Sequence, residues 1–404
     1  MQILLEKFNS MIPYGRQDIS KADIDSVVNV LQSDFLTQGP MLPRFEEAVM
    51  QYCGAQHAVA VSSATSALHI ACLALGLGPE DWLWTSPNTF VASANCALYC
   101  GAMVDFVDID PRTYNMSVEC LKQKLEQAEK KGCLPKIVMP VHFAGQPCDM
   151  VAIHALSEKY GFKIIEDASH AIGAHYVSTA SSEAFFKKST KIKVGSCAHS
   201  QITVFSFHPV KIITTGEGGM ATTNDPDLAN RMRRLRAHGI TMDKELMVSR
   251  PSNEIWNYQQ IELGFNYRMT DVQAALGLSQ MQRLDDFVHR RHQLAKNYAS
   301  GLSCLPINLP WQDSGVYSSY HLYPMRVNKN NCGKDQKEIY YALQSAGVAV
   351  NVHYIPVYLH PYYETKGFVS GYCAEAERYY RESISLPIFA GLPDDNQQYV
   401  IDVI

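Results

Sequence analysis

From about residue 57 to residue 223, short apolar, β-branched runs alternate with segments of helical period. Such alternation restricts a chain to an α/β domain built on a mostly parallel sheet. Strands are predicted at His57–Ser62, Met103–Ile109, Lys136–Val141, Lys163–Asp167 and Ile202–Phe207. A helix is predicted over Asp149–Tyr160, where Asp149 can cap the N-terminus, Val151, His154, Ala155 and Leu156 form the stripe, and Gly161 stops it. The strand that follows at once makes a βαβ unit. Asp225-Pro226 opens another helix carrying Arg231, Arg233, Arg234 and Arg236, a run that reads as a solvated face. An amphipathic helix is predicted over Asp271–Val288, then strands at Tyr320–Val327 and Val348–Tyr354 on either side of a helix near Asp335–Ala346. Residues 1–285 are therefore expected to form a large domain and 286–404 a smaller one. Ser178–Ser196, with Lys187, Lys188, Lys191 and Lys193, reads as an exposed insertion loop.

Composition narrows the function. The 404 residues carry 35 Lys+Arg against 40 Asp+Glu, a net charge of -5, which disfavours a protein whose task is to grip a nucleic-acid backbone. The 11 cysteines include no C-x-x-C pair, so neither a disulfide framework nor a zinc site is indicated, and no metal is expected. No apolar run is long enough for a signal peptide or the roughly 20-residue membrane span. A cytoplasmic protein without a membrane partner is the expectation.

Three constellations could carry chemistry. Ser62-Ser63-Ala64-Thr65-Ser66-Ala67-Leu68 sits where a strand gives way to a helix; its free N–H groups and hydroxyls suit a phosphate, and equally a plain Ser/Thr cap. Glu166-Asp167-Ala168-Ser169-His170 ends an apolar strand, where a carboxylate faces the crevice used by ligands of open α/β sheets. Asp167 would face a cation or protonated nitrogen there, or belong to a structural ion pair. Ser206-Phe207-His208-Pro209-Val210-Lys211, followed by Gly216-Glu217-Gly218-Gly219, offers a desolvated lysine, a candidate Schiff-base nucleophile or an ordinary surface residue. Together they meet one need. Pyridoxal 5'-phosphate requires a lysine, an acidic partner for its ring nitrogen, a phosphate cradle and an aromatic face. Phe90 could supply that face, or be a core residue.

These motifs, together with Leu36-Thr37-Gln38-Gly39-Pro40 and Gly264-Phe265-Asn266-Tyr267-Arg268-Met269, resemble the DegT/StrS family of nucleotide-sugar aminotransferases over almost the whole chain. The resemblance implies a fold-type I α/β transferase with a smaller C-terminal α+β domain. It implies that Lys211 forms the Schiff base and carries the proton, Asp167 pairs with the ring nitrogen and His170 hydrogen-bonds the phenolic oxygen. Ala64, Thr65 and Ser206 would hold the phosphate, reached from the second subunit of a homodimer by Asn266. Tyr14, Asp34, Phe35, Leu36, Thr37, His321, Leu322, Tyr323 and Pro324 would lie along the sugar-nucleotide site. Finer motifs, among them His321-Leu322-Tyr323-Pro324 and Val352-His353-Tyr354-Ile355-Pro356, are similar to the branch acting in pseudaminic acid biosynthesis. That branch moves an amino group from L-glutamate, leaving 2-oxoglutarate, to C4 of a UDP-linked 4-keto-6-deoxy-N-acetylhexosamine. Another nucleotide-linked keto sugar, or a catalytically silent homologue, stays open. Related sugar dehydratases carry histidine where this chain has Lys211.

Overall fold

The computed structural model describes residues 11–179, 189–249 and 254–404. Nine strands come first: β1 His57–Val61, β2 Trp82–Thr85, β3 Met103–Phe106, β4 Ile137–Met139, β5 Lys163–Asp167, β6 His175–Thr179, β7 Ser189–Lys193, β8 Ile202–Ser206 and β9 Gly219–Thr223. Seven of them form one sheet in the order β1-β9-β8-β5-β4-β2-β3. Only β9 runs against the rest, pairing antiparallel with both β1 and β8. The α/β fold with a mostly parallel sheet is thus the one anticipated.

Period-two alternation sorts the strand residues between two layers. Val59, Val61, Ile165, Ile202 and Val204 pack on the face covered by helices Ala64–Ala74 and Ala92–Tyr99. Ala58, Ala60, Phe205 and Phe207 pack on the other face with Phe45 and Val49 of helix Met41–Cys53. Fully burying each large apolar side chain stabilises by about 1.5–3 kcal/mol. The same alternation turns Asp167 and Glu166, adjacent at the end of β5, toward opposite faces.

The C-terminal part holds a three-stranded antiparallel sheet of Ile307–Asn308, Tyr323–Val327 and Ser383–Leu386. Helices Leu284–Gly301, Gln336–Ser345 and Asp394–Val403 supply Leu294, Tyr298, Leu343 and Val400 to its core. The first described residues join this part: Ile12 bridges Val348, and the carbonyl of Tyr14 accepts from the N–H of Ile388 at 3.1 Å.

Several expectations are corrected. Asp271–Val288 is two helices, Asp271–Met281 and Leu284–Gly301, parted at Gln282-Arg283, where the Arg283 guanidinium turns to Asp18 and Asp23. The second runs through residue 286. Val348–Tyr354 is not a strand; it makes only single bridges, Val348 to Ile12 and Asn351 to Ser385, because no neighbouring strand runs beside it. The stretch within Ser178–Ser196 is a hairpin of β6 and β7 extended by Val316–Tyr317, with residues 180–188 outside the described ones. The arginine run is not a bare solvated face: Arg231 and Arg234 pair with Glu262 and Arg236 with Glu46.

Asp271 ties the residues before helix Met41–Cys53 to the rest. Its fully buried carboxylate accepts from the N–H groups of Gly39 at 2.8 Å and Met41 at 2.7 Å. Asp271→Ala would strand both donors and is expected to lower unfolding free energy by about 3 kcal/mol, read from urea denaturation.

Candidate active site

At the C-terminal ends of the parallel strands lies a cavity of about 520 Å³. Ligands of open α/β sheets bind at this edge, where successive loops diverge. Tyr14, Ala64, Thr65, Phe90, Asp167, His170, Ser206, Lys211 and His321 all line it, from six separate stretches of the sequence.

The carboxylate of Asp167 is the best constrained element. It is 4% exposed, accepts from the Ser93 hydroxyl at 2.6 Å and from the Ser169 N–H at 3.1 Å. Among the described residues no lysine, arginine or histidine pairs with it, so the structural ion pair is not what holds it. A buried carboxylate with two neutral donors and no cation is poorly compensated. Glu166, one residue earlier on the opposite face, shows the contrast. It accepts from His142 at 2.7 Å, Thr203 at 2.9 Å and Ser200. The Cys148 N–H donates to Nδ1 of His142 at 3.0 Å, so this imidazole gives its proton from Nε2. Burial would raise the Glu166 carboxyl, but these donors hold it below the ordinary range. Glu166 is saturated, whereas Asp167 has valence left for a cationic ring nitrogen.

Burial pushes the Lys211 amine down to about 8, against a smaller upward pull from Asp167. At pH 7 about one molecule in ten then carries the neutral nucleophile, far more than for an exposed lysine. Uptake of pyridoxal phosphate by the apo-protein is therefore expected to quicken as pH rises through about 8 and to level off above it, measured by stopped-flow absorbance. Three imidazoles share the wall. Burial, with the Lys211 charge adding to it, holds His170 and His321 well below their usual value and His353 at about 3. The His170 and His321 rings lie 4.3 Å apart, and His170 Nε2 is 3.2 Å from the Tyr354 hydroxyl. The Nδ1 atoms of His170 and His321 are buried without a partner.

The cradle follows from a helix terminus. Ser63 caps helix Ala64–Ala74 by accepting from the Ser66 N–H at 3.1 Å, so the plain cap exists. It leaves Ala64 and Thr65 on the cavity wall at the positive end of the helix. Gly219 of β9 passes beneath: a Cβ there would lie 2.5 Å from the Ala64 nitrogen and from the Ser63 carbonyl carbon. Gly219→Ala is expected to push the cradle outward and weaken cofactor binding at least tenfold, about 1.4 kcal/mol, in an equilibrium titration. Phe90 is 60% exposed on the same wall, so it is not a core residue. An uncompensated carboxylate, a desolvated amine, a helix-end cradle, an exposed ring and an orphaned imidazole nitrogen fit pyridoxal phosphate.

Other expected site residues lie elsewhere in this chain. Asp34, Phe35, Leu36 and Thr37 are exposed and off the cavity wall, and so is Asn266. Leu322 is buried in the large core, while Tyr323 and Pro324 begin a strand paired to Leu386 and Ser385; pairing and packing turn these three from the cavity. Conversely Ser93 and Thr89 line the cavity unforeseen, as do Ser169, His353 and Tyr354, which the motifs contained but to which no role was given. Ser93 lies one helical turn after Phe90, a spacing that could have flagged it. Ser93→Ala, which removes the shorter bond to Asp167, is expected to lower kcat/KM about tenfold with an unchanged melting temperature.

Known proteins agree with this geometry. Residues 17–404 match the DegT/DnrJ/EryC1/StrS aminotransferase family. The chain is 37% identical over 404 residues to the spore coat polysaccharide biosynthesis protein SpsC of Bacillus subtilis, covering 99% of this chain and 98% of that protein. It is 35% identical over 398 residues to the UDP-4-amino-4,6-dideoxy-N-acetyl-β-L-altrosamine transaminase of Campylobacter jejuni, covering 98% of this chain and 96% of the other. The solved structure of Spr1654 from Streptococcus pneumoniae in its PLP form has a TM-score of 0.83 at 28% identity and covers 97% of both chains. A cavity with this donor set, on a chain so matched throughout, belongs to a sugar aminotransferase of the DegT/DnrJ/EryC1/StrS family, which depends on pyridoxal phosphate.

Proposed function

We propose that the enzyme transfers the amino group of L-glutamate to C4 of a UDP-linked 4-keto-6-deoxy-N-acetylhexosamine, as in pseudaminic acid biosynthesis, and works as a homodimer. The observation that carries the chemistry is the presence, in one cavity, of a buried lysine and a buried carboxylate that forms no salt bridge among the described residues. Bound pyridoxal phosphate supplies an aldehyde to hold the amino group and a ring that withdraws electrons while the α-proton is moved. Lys211 then takes the proton from the amino-acid carbon in the first half-reaction and delivers one to the sugar carbon in the second, a general base followed by a general acid. Ser93 and Ser169 hold the Asp167 carboxylate, which would face the ring nitrogen. His170, kept neutral, would offer a hydrogen bond to the phenolic oxygen. The sugar assignment is supported by the 35% identity to the altrosamine transaminase. The similar 37% identity to a spore-coat polysaccharide protein favours, as a second reading, another keto sugar with the same chemistry.

The dimer is supported by a run of exposed apolar side chains beside Asn266. Val248, Ile255, Trp256 and Leu263 are 74%, 86%, 71% and 79% exposed, a surface that a soluble monomer rarely presents. Asn266, exposed in the same stretch of chain, is the residue that would reach the neighbouring cradle in the proposed dimer.

The test is a panel of UDP- and dTDP-linked keto sugars with glutamate and mass detection. A 4-amino product from the UDP-4-keto-6-deoxy-N-acetylhexosamine alone is expected. Amination only of a different sugar would overturn the assignment and leave the aminotransferase standing.

A further inference from the structure

Arg291, on helix Leu284–Gly301, is one of the largest side chains the fold buries, and it does not line the catalytic cavity. Among the described residues no carboxylate forms a salt bridge with its guanidinium. Burial alone pulls it down to about 9, so it stays charged at neutral pH. A buried cation without a counter-anion is costly. What it meets instead is backbone: Nη1 donates to the carbonyls of Tyr320 at 3.1 Å, His321 at 3.3 Å and Ile388 at 2.9 Å, while Nε has no partner.

These carbonyls belong to the two attachments that bring Tyr14 and His321 to the cavity wall. The Ile388 N–H donates to the Tyr14 carbonyl at 3.1 Å, so one arm of the hold ends on the segment that carries Tyr14. The other arm ends on a strained turn. Tyr320 has a φ of +47°, a left-handed conformation in which its Cβ crowds the backbone, and His321 follows it directly. Such strain persists only where the surroundings over-determine it. The Ser318 hydroxyl accepts from the Tyr320 N–H at 3.0 Å, and Arg291 grips the carbonyls of the strained residue and of the next one.

We infer that Arg291 is a positioning residue for the amino acceptor: from behind the wall, one buried guanidinium sets how Tyr14 and His321 stand to each other, on the reading that both side chains face the sugar nucleotide. Its bonds end on none of Lys211, Asp167 and the Ser63–Thr65 cradle. Cofactor binding and the glutamate half-reaction should therefore be spared when it is lost. A residue that merely supported the fold would weaken all of these together.

The experiment compares holoenzymes carrying Arg291→Met, which keeps the bulk and removes the charge and all three bonds, and Arg291→Lys, which keeps the charge. The acceptor is whichever keto sugar of the panel the enzyme aminates, so the sugar's identity is not at stake. Arg291→Met is expected to raise the KM for that sugar about tenfold or more, with the cofactor dissociation constant and the single-turnover rate with glutamate within about twofold of wild type. Arg291→Lys is expected to recover most of the loss, leaving a rise of about threefold; that rise alone decides the matter should Arg291→Met misfold. An equal loss in all three readings, or an unchanged sugar KM in both variants, overturns the inference. Tyr14→Ala and His321→Ala, assayed on the same sugar, show where a failure lies. If they raise its KM and Arg291→Met does not, the positioning role is wrong and the wall stands; if they leave it unchanged, the wall is wrong and the positioning role falls with it.

Discussion

Lys211→Ala is expected to abolish turnover, lowering kcat by more than about 10⁴-fold, since on the proposed mechanism it removes both the covalent anchor and the proton carrier at the reacting carbon. The fold should be little affected. The amine is desolvated, and no salt bridge in the described residues depends on it, so its loss breaks no close ion pair. Steady-state assays together with circular dichroism and the absorbance of bound cofactor decide the matter. Residual activity within a hundredfold of wild type would rule out Lys211 as the proton carrier.

Asp167→Asn carries the second large effect. The amide keeps the shape and can still accept from Ser93, but it cannot hold a positive ring nitrogen, so kcat should fall by about 10³-fold, near 4 kcal/mol. Stability should stay level or rise, because a buried charge without a counter-ion has been removed. Were Asp167 part of a structural ion pair, the opposite pattern would appear: a lower melting temperature with chemistry largely preserved. Thermal unfolding and kinetics on one preparation separate the two.

Much of this site could be read in advance because its chemistry sits at strand ends and helix starts, where local sequence dictates position. Asp167 closes an apolar strand whose limits are those anticipated, and Lys211 follows the next core strand. What was not legible depends on long-range packing. Tyr354 reaches His170 across 184 residues, and nothing local to either residue signals the contact. Trp82–Thr85 escaped because a four-residue strand with two tryptophans shows too little periodicity to stand out. Val348–Tyr354 failed for the converse reason: its pattern suits a strand, but a strand exists only where a neighbour pairs with it. Tyr323 and Pro324 were misplaced because a motif fixes neighbours in sequence, while the strand they begin turns them into the small sheet.

The bond between Tyr14 and Ile388 also bears on biosynthesis. Tyr14 is synthesised well before Ile388, yet the Ile388 N–H is what holds the Tyr14 carbonyl beside the cavity wall. The sheet, the lysine and the aspartate can assemble while synthesis continues. The wall itself gains this tie only once residue 388 has emerged, so a nascent chain short of it presents cofactor with an open trough.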